Sequence, residues 1–199
     1  IDINEFPNLK GIFRVGISRD NVPEKEAEEK GIVVRYPSDD TINIIYEETA
    51  SFTCGLIFRM LYADVGTLDP WLKEPRLQLS QKTLLVIGKG KIGSRVAQLM
   101  KPFMGVTTFD NLQNKASELK QMIQLADCIT FHIPRSDSNL SFFGEEKLSW
   151  MKDGGVLINT ARGEIVDENA LYAELQDGRL RAAFDVYWEE PYTGKLKEF

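Results

Sequence analysis

The sequence predicts an α/β fold with a doubly wound, mostly parallel sheet. From residue 82 onward, short apolar runs alternate with helix-like segments, a pattern typical of parallel strands covered by helices on both faces. Three glycines, Gly88, Gly90 and Gly93, follow the first of these runs and open a helix-like segment. The predicted strands are TLLVIG, VTTFD, CITFHI, GVLINT and AAFDVY.

The first 42 residues predict half of another α/β unit. LKGIFRVGI is a predicted strand, VPEKEAEEKG a predicted helix, and IVVRYP a second predicted strand. Pro23 fits the first turn of the helix, and Gly31 fits the residue that ends it.

A long helix is predicted next, from about Ile44 to Tyr62, and a proline-containing arm follows it. The arm is TLDPWLKEPRLQLSQ, in which Pro70 and Pro75 favour a loop between elements. Apolar residues recur in the helix every three to four positions, which predicts a core-facing stripe of Ile45, Thr49, Phe52, Leu56 and Met60.

The last predicted helix begins near Asp167 and carries signals at both ends. Asp167 can cap the free backbone amides, and Val166 can pack on Leu171 as a hydrophobic staple. Gly178 fits the residue that closes the C-terminus of this helix.

Composition excludes several classes of function. The chain has 199 residues, is 43% hydrophobic and carries a net charge of −6. Nucleic-acid binding needs clustered Lys and Arg, so we expect no nucleic-acid partner. The longest apolar stretch without charge, Thr49 to Phe58, is too short to cross a bilayer, and we expect no membrane partner either.

Cysteine and histidine usage predicts no metal site. Cys54 and Cys128 each lie in an apolar segment without a second Cys nearby, and His132 is the only histidine. Neither arrangement offers a metal cage. We expect both cysteines to be buried thiols in a reducing compartment, the cytoplasm.

The glycine pattern predicts a dinucleotide site. Gly88 permits a tight turn, Gly90 removes a side chain where a diphosphate must approach, and Gly93 lets the helix pack close to the strand. The backbone amides at the start of that helix, Lys91 and Ile92 among them, then face the phosphates at the positive end of the helix dipole.

Asp110 strengthens this prediction and favours NAD. It ends the next predicted strand, 110 − 88 = 22 residues after the first glycine, where a carboxylate can accept hydrogen bonds from the adenosine ribose. The carboxylate repels a 2′-phosphate, and the next three residues, Asn111 to Gln113, add no cation. A P-loop kinase fails on the residue spacing, whereas a methyltransferase also fits a glycine turn and a strand-end acid.

In order along the chain, the motifs resemble those of a known family, the D-isomer-specific 2-hydroxyacid dehydrogenases. LLVIGKGKIG, FHIP, MKDGGVLINTARGEIVDENAL and AAFDVYWEEP are similar to successive motifs of its nucleotide domain. NLKGIFRVGISRDNV and YEETASFTCGLIFRML resemble the end of its substrate domain and its hinge helix. The resemblance implies a partial substrate-binding domain at 1–42, and a hinge helix with an NAD-binding Rossmann domain at 43–199.

Two catalytic residues follow from this resemblance. Arg162 in NTARG matches the arginine that holds the substrate's carboxylate and carbonyl oxygen, where a planar guanidinium can also stabilise developing negative charge. Glu190 in EEP matches the acid that pairs with a catalytic histidine and raises its pKa.

Further positions match cofactor contacts in the family. Asp185 corresponds to a residue that binds the nicotinamide carboxamide, and the backbone of Thr160 and Ala161 lies nearby by the same resemblance. His132 and Pro134 of the HIP motif resemble part of the wall of the cofactor site. We expect His132 to be neutral and structural or in contact with cofactor.

The substrate loop matches less well. Gly16 resembles a turn whose backbone amides help bind the substrate carboxylate, and Asp20 and Asn21 agree with the family pattern. Ser18 stands where the family commonly has a second glycine, and Arg19 follows it. We expect a reshaped loop or one suited to an additional acidic group.

Two parts of the family pattern are not among these residues. The family's catalytic histidine belongs to a Pro-His segment downstream of the Glu-Pro motif, and its substrate domain has further βα units ahead of this region. We expect the sequence to be part of a longer protein, with a natural remnant that kept the cofactor fold as the alternative, and we expect the 199 residues alone to be a poor catalyst.

Two functions are therefore expected, in different classes. The first is an NAD-dependent oxidoreductase acting on a 2-hydroxy or 2-keto acid, paired as a homodimer through the long helix and the arm. The alternative is a noncatalytic NAD-sensing or corepressor-like regulatory dimer, with Trp71, Trp150 and Trp188 as candidates for a contact surface or for core packing.

Overall fold

A computed structural model describes residues 2–19, 21–63, 66–75 and 77–199 of the chain. Contacts divide it into the units Ile1–Glu48 and Thr49–Phe199. The division falls inside a helix, later than the boundary at 42/43 that the sequence suggests. The assignment of the first unit to a substrate domain stays a prediction.

The first unit contains the predicted strand, helix and strand. Strand β1 is Gly11–Phe13, helix α1 is Glu24–Glu29 and strand β2 is Val33–Arg35, and the two strands pair in parallel. Pro23 precedes the helix instead of lying in its first turn. Gly31 ends it as predicted, because its positive φ of 66° reverses the chain toward β2. A small core of Ile3, Ala27 and Ile32 lies beneath.

The long helix α2 is Asp39–Leu61, so it begins at Asp39 instead of near Ile44. The earlier start has a local cause in Ser38, whose hydroxyl accepts a hydrogen bond from the Thr41 N–H at 3.4 Å and whose carbonyl accepts one from the Ile42 N–H at 2.9 Å.

The predicted apolar stripe of α2 is correct only in part. Leu56 and Met60 are partly buried and pack against the core of the second unit, whereas Phe52 is 48% exposed. The fully packed face lies beside the predicted one and includes small and polar side chains. The buried residues are Ala50, Thr53, Cys54, Ile57 and Leu61.

The predicted arm contains a short antiparallel hairpin. Strands β3, Thr67–Leu68, and β4, Trp71–Leu72, pair with each other, and a 3-10 turn at Leu79–Gln81 leads into the main sheet. Leu68 and Trp71 are 83% and 73% exposed. The arm residue Arg76 lies outside the described residues.

The main sheet confirms the predicted fold class. Its five strands are all parallel in the order β6-β5-β7-β8-β9, with helices α3 to α6 between consecutive strands. In chain order the elements are β5 (Thr83–Ile87), α3 (Lys91–Met100), β6 (Gly105–Phe109), α4 (Ala116–Leu125), β7 (Cys128–Phe131), α5 (Glu145–Ser149), β8 (Val156–Asn159), α6 (Glu168–Gln176) and β9 (Arg181–Phe184).

Helices cover both faces of this sheet because successive strand residues point to opposite sides. Leu84 and Val86 join a core with residues of α2 and α3, whereas Leu85 and Ile87 join one with residues of α4 to α6. Cys54 and Cys128 are buried free thiols, as predicted. Within the described ranges, every helix is too short or too polar to cross a membrane.

The predicted capping of α6 is confirmed. The Asp167 carboxylate accepts a hydrogen bond from the Ala170 N–H at 2.9 Å. Val166 and Leu171 are both fully buried in the same core, and Gly178 has the positive φ of 66° that a closing residue needs.

The strand order places a crevice between the carboxyl ends of β5 and β7. These two strands are neighbours, and the chain passes from β5 to β6 on one side but from β7 to β8 on the other, so the two connections run in opposite directions. Doubly wound sheets bind their ligands at such a reversal, outside the carboxyl ends of the strands.

Candidate nucleotide-binding and active site

Gly88 and Gly93 are required by the packing of the loop itself. Gly88 has a φ of 97°, and a Cβ on it would lie 2.5 Å from the carbonyl oxygen of His132. A Cβ on Gly93 would lie 2.0 Å from the carbonyl oxygen of Gly88. Both distances are far below van der Waals contact, so the first glycine forms the turn and the last lets α3 approach the strand end.

Gly90 is different, because a Cβ there would meet nothing within 4 Å. It is the N-cap residue of α3 in extended conformation, and no side chain caps the helix at this position. The N–H groups of the first turn, at Lys91 and Ile92, therefore border open space at the positive end of the dipole. This bare helix entrance fits the diphosphate of a dinucleotide.

Asp110 is bound to the glycine loop. Its Oδ2 accepts a hydrogen bond from the Lys89 N–H and its Oδ1 accepts one from the Leu112 N–H, both at 3.0 Å. These backbone hydrogen bonds lower the pKa of the Asp110 carboxyl. A carboxylate has about four lone-pair sites, so two bonds leave it able to accept hydroxyls of a ribose.

A cavity of about 160 Å³ adjoins Asp110 at the carboxyl ends of β5, β6 and β7. Its position and largely apolar wall suit a nucleotide base, with the Asn139 side chain donating to the Pro134 carbonyl at 2.8 Å on its rim. The lining residues are Ile87, Gly88, Phe109, Asp110, Asn111, Ile133, Pro134, Asn139 and Phe142.

His132 supports the loop from the end of β7. Its carbonyl faces Gly88, its N–H donates to the Ile87 carbonyl at 2.7 Å, and its Nε2 lies 3.2 Å from the Thr130 hydroxyl. Burial lowers the pKa of His132 to about 4, so the ring is neutral near pH 7. These contacts are structural, and a direct cofactor contact stays a prediction, as it does for Pro134.

The loop after β8 carries Arg162 and is held by a buried side chain. Asn159, fully buried, accepts a hydrogen bond from the Ala161 N–H at 3.0 Å and donates one to the Arg162 carbonyl at 2.8 Å. The Arg162 guanidinium donates to the Ala161 carbonyl at 2.6 Å. The hydroxyl oxygens of Thr160 and Thr53 lie 2.9 Å apart. The backbone path of residues 160–162 is therefore fixed without a ligand.

The next loop, after β9, lies against this one. A Cβ on Gly163 would lie 2.3 Å from the carbonyl carbon of Tyr187, so the two loops touch backbone to backbone. Glu190 accepts a hydrogen bond from the Tyr187 N–H at 3.3 Å. Partial burial, and then the nearby Glu190 carboxylate, raise the pKa of Asp185. The structure thus groups Thr160, Ala161, Arg162, Asp185 and Glu190 at the carboxyl ends of β8 and β9.

Gly16 belongs to the first unit, in the bend after β1. The Arg14 guanidinium donates to the Ser18 carbonyl at 3.2 Å across that bend. Arg19 stacks over the Tyr36 ring, 4.3 Å from its centroid, and lies 3.8 Å from a Glu24 oxygen. Arg19 is therefore engaged by its own unit. Asp20 lies outside the described residues.

A larger cavity, of about 750 Å³, lies at the opposite edge of the sheet, beside the residues that precede β5, β7 and β8. Asp127 on its wall binds the Thr83 N–H at 2.9 Å and two lysines, Lys82 and Lys152, at 3.3 and 3.2 Å. These bonds hold strand starts together. The amino edge is not where doubly wound sheets bind ligands, so the smaller crevice is the candidate site.

Comparison with known sequences decides the family. A family described as "D-isomer specific 2-hydroxyacid dehydrogenase, NAD binding domain" matches residues 66–198. The chain belongs to this family. The resemblance seen in the motifs is confirmed, and residues 66–198 correspond to the NAD-binding domain of this family.

Relatives within the 2-hydroxyacid dehydrogenases include several reductases and dehydrogenases. D-3-phosphoglycerate dehydrogenase of Methanocaldococcus jannaschii is 33% identical, covering 95% of this chain and 39% of that protein. Glyoxylate reductase of Korarchaeum cryptofilum is 30% identical, covering 93% and 61%. The solved D-lactate dehydrogenase of Aquifex aeolicus, in complex with NAD and lactic acid, superposes with a TM-score of 0.71 at 29% identity, covering 94% and 61%.

This chain therefore spans between 39% and 61% of the length of these three 2-hydroxyacid dehydrogenases.

Three residues support the site without facing a ligand, and the sequence pattern did not identify them. Thr53, Asn159 and Gly163 act through other groups, and each acts across a contact that only the folded chain creates. The Asn-Thr-Ala-Arg-Gly run was a usable signal for Asn159, because Asn directly after a buried strand often bonds to the turn that follows. Thr53 had no such signal.

Proposed function

We propose that this protein binds NAD and transfers hydride between it and a 2-hydroxy or 2-keto acid. One observation carries the proposal: the bare entrance of α3 and the Asp110 carboxylate lie side by side, joined by the Lys89 N–H. The family supports NAD as the nucleotide.

The dinucleotide's adenosine half is held by groups that are already in place. The N–H groups at the start of α3 stabilise the diphosphate without a charged side chain, and Lys91 adds attraction screened by solvent. Asp110 accepts hydrogen bonds from the ribose hydroxyls, and the base lies in the cavity of about 160 Å³. Since these groups need no rearrangement, binding costs little ordering entropy.

The loops after β8 and β9 bind the substrate and the nicotinamide half of NAD. When bound, NAD supplies the hydride chemistry. Arg162 grips the substrate carboxylate and stabilises the charge that develops on the carbonyl oxygen. Asp185 orients the nicotinamide carboxamide, together with the backbone of Thr160 and Ala161. Glu190 pairs with the histidine of the family's Pro-His segment and raises its pKa, and that histidine delivers the proton.

The substrate class is a small acid with oxygen on C2. The relatives are named for phosphoglycerate, glyoxylate and lactate, which share a carboxylate next to a hydroxyl or carbonyl carbon. Arg162 matches that shared part. Gly16, in the first unit, is a proposed substrate-binding residue on the family resemblance alone.

We also infer a homodimer and a cytoplasmic setting. Leu68, Trp71 and Leu72 expose a large apolar surface on the arm, which a second copy can cover. Trp188 instead donates its ring N–H to the Val166 carbonyl, and Trp150 packs on the core. The two buried free thiols suit a reducing compartment. Sedimentation at micromolar concentration tests the dimer, and a monomer contradicts it.

The proposed reaction is tested in two stages. NADH is titrated by fluorescence against the wild-type chain, Asp110→Ala and Arg162→Ala; we expect Asp110→Ala to lose binding and Arg162→Ala to keep it. Turnover is then measured with a panel of 2-keto acids on a version extended past Phe199 to include the Pro-His segment. Binding without turnover in that version contradicts the dehydrogenase and favours the NAD-sensing alternative.

A further inference from the structure

A cation lies near Asp110 although none is among the three residues that follow it. Asn111, Leu112 and Gln113 are uncharged, which by itself disfavours a coenzyme with a 2′-phosphate. In the structure the ammonium of Lys89 reaches this place from the glycine loop, where its Nζ donates a hydrogen bond to Gln113 Oε1 at 3.1 Å.

The hydrogen-bond partner of the Lys89 ammonium carries no charge. Gln113 is a neutral amide, so the hydrogen bond holds the ammonium in place without neutralising it. The N–H of Lys89 at the same time binds the Asp110 carboxylate at 3.0 Å. Backbone and side chain of one residue therefore border the carboxylate that marks the ribose position.

The Asp110 carboxylate also repels a 2′-phosphate less than a carboxylate without hydrogen bonds does. Each of its oxygens already accepts a backbone N–H, from Lys89 and from Leu112. A 2′-phosphate has three acceptor oxygens and can replace Gln113 as the hydrogen-bond partner of Lys89. Both Lys89 and Gln113 are exposed, so the side chains can make this exchange at low cost.

We propose that Lys89 is the contact for a 2′-phosphate, and that through it the site binds NADP(H) as a second, weaker coenzyme beside NAD(H). This inference rests on the proposed function, because it concerns the same nucleotide site. It does not change the preference for NAD, since Asp110 still favours a free 2′-hydroxyl.

Binding is measured for NADH and NADPH by fluorescence titration, with isothermal calorimetry as a second readout, on the full chain at low salt. An exposed ion pair is worth up to about 1 kcal/mol, or roughly fivefold in affinity. We expect Lys89→Gln to weaken NADPH binding about fivefold and to leave NADH binding within about twofold. The effect shrinks in 0.5 M salt, because solvent-exposed charges are screened.

Lys101→Gln is the matched control. It removes the same charge from an exposed residue at the other end of α3, about 15 Å away along a helix of ten residues. We expect it to leave both affinities unchanged. This control separates a local contact from the change in net charge.

Two results overturn the inference while leaving the proposed function intact. One is NADH binding by the wild type with an NADPH affinity that Lys89→Gln does not change, and the other is an equal loss of NADPH affinity in Lys101→Gln. Failure of the wild type to bind either coenzyme overturns the proposed function and this inference together.

Discussion

The backbone N–H of Lys89 donates a hydrogen bond to Oδ2 of Asp110 at 3.0 Å. The two residues are 21 positions apart and belong to different strand-to-helix connections. The contact joins the glycine loop, which we propose to bind the diphosphate, to Asp110, which we propose to bind the ribose, before any ligand arrives. A nucleotide site built in this way is preorganised, and its parts can be tested separately.

Adding a methyl group at Gly90 should remove coenzyme binding and leave the fold intact. Gly90→Ala places its Cβ in open space, so the melting temperature should change little. The same Cβ occupies the place of the diphosphate, so we expect NADH affinity to fall at least about tenfold. Thermal unfolding and NADH titration on the same sample check both parts.

Gly93→Ala is the contrasting variant. Its Cβ would lie 2.0 Å from the Gly88 carbonyl oxygen, which forces α3 away from the strand end. We expect a loss of stability of about 1–3 kcal/mol, as is typical of overpacking. Equal melting temperatures for the two variants would contradict these separate roles of the glycines.

NADH binding should not depend on the protonation of Asp110 at neutral or mildly acidic pH. Hydrogen bonds from the Lys89 and Leu112 N–H groups lower the pKa of this carboxyl. Its stabilising contribution is therefore fully present above its ordinary pKa of about 3.9, and is lost only as the pH falls through the lower folded value. We therefore expect Asp110 to cause no change in NADH affinity between pH 8 and pH 5.

The comparison for this prediction is Asp110→Asn, which keeps the shape and removes the charge. The ratio of the two NADH affinities should stay constant over that range. A ratio that falls steadily between pH 7 and pH 5 would show an acid that titrates higher than the hydrogen bonds allow.

His132 should make the protein less stable in mild acid. Burial lowers its pKa to about 4, whereas an unfolded histidine titrates near 6.5. Between these values the unfolded chain binds the extra proton, so stability rises with pH from about 4 to 6.5 and is lost as the pH falls through this window. Urea unfolding at several pH values measures the slope.

His132→Gln removes the titrating ring and keeps a group that can bond to Thr130. The slope between pH 4 and 6.5 should decrease by up to about one proton. An unchanged slope would show that other groups carry the acid sensitivity.

Thr53 should affect coenzyme binding from behind the site. Its hydroxyl donates to the Thr49 carbonyl at 2.8 Å, so the Thr160 hydroxyl is the donor in the bond between the two threonines. Thr53→Val removes the acceptor for Thr160 in a buried place. The loop at Thr160 then loses a hydrogen bond worth about 1 kcal/mol, and NADH must order the loosened loop on binding, so we expect NADH affinity to fall by up to about fivefold.

Thr53→Ser keeps the hydroxyl and loses a methyl group, which costs about 1 kcal/mol of stability. Because both variants lose stability, the melting temperature does not separate a positioning role from a structural one. NADH affinity does, since the serine variant should stay within about twofold of wild type. Equal loss of affinity in the two variants would leave Thr53 as a packing residue only.

The parts of the fold that the sequence predicts best are those with strong local causes. The five main strands combine apolar runs with flanking turns, and α6 has Asp167 and Gly178 at its ends. The start of α2 was predicted too late because the Ser38 cap precedes two charged residues instead of an apolar stripe. Its buried face differs from the predicted one because the small residues Ala50 and Thr53 are buried, whereas the larger Phe52 is exposed.

The candidate site divides in the same way. Gly88, Gly90, Gly93 and Asp110 can be proposed from the sequence because their chemistry depends on spacing along the chain. Lys89 as a side-chain cation beside Asp110 was not found, because that contact depends on how two loops meet across β5 and β6.

The nucleotide site is tested most directly by a crystal structure of the protein with NAD. We expect the diphosphate within hydrogen-bonding distance of the Lys91 and Ile92 N–H groups, and the adenosine ribose hydroxyls on the Asp110 carboxylate. Coenzyme bound instead in the cavity of about 750 Å³ at the amino edge of the sheet, with the glycine loop empty, would contradict the site proposed for this chain.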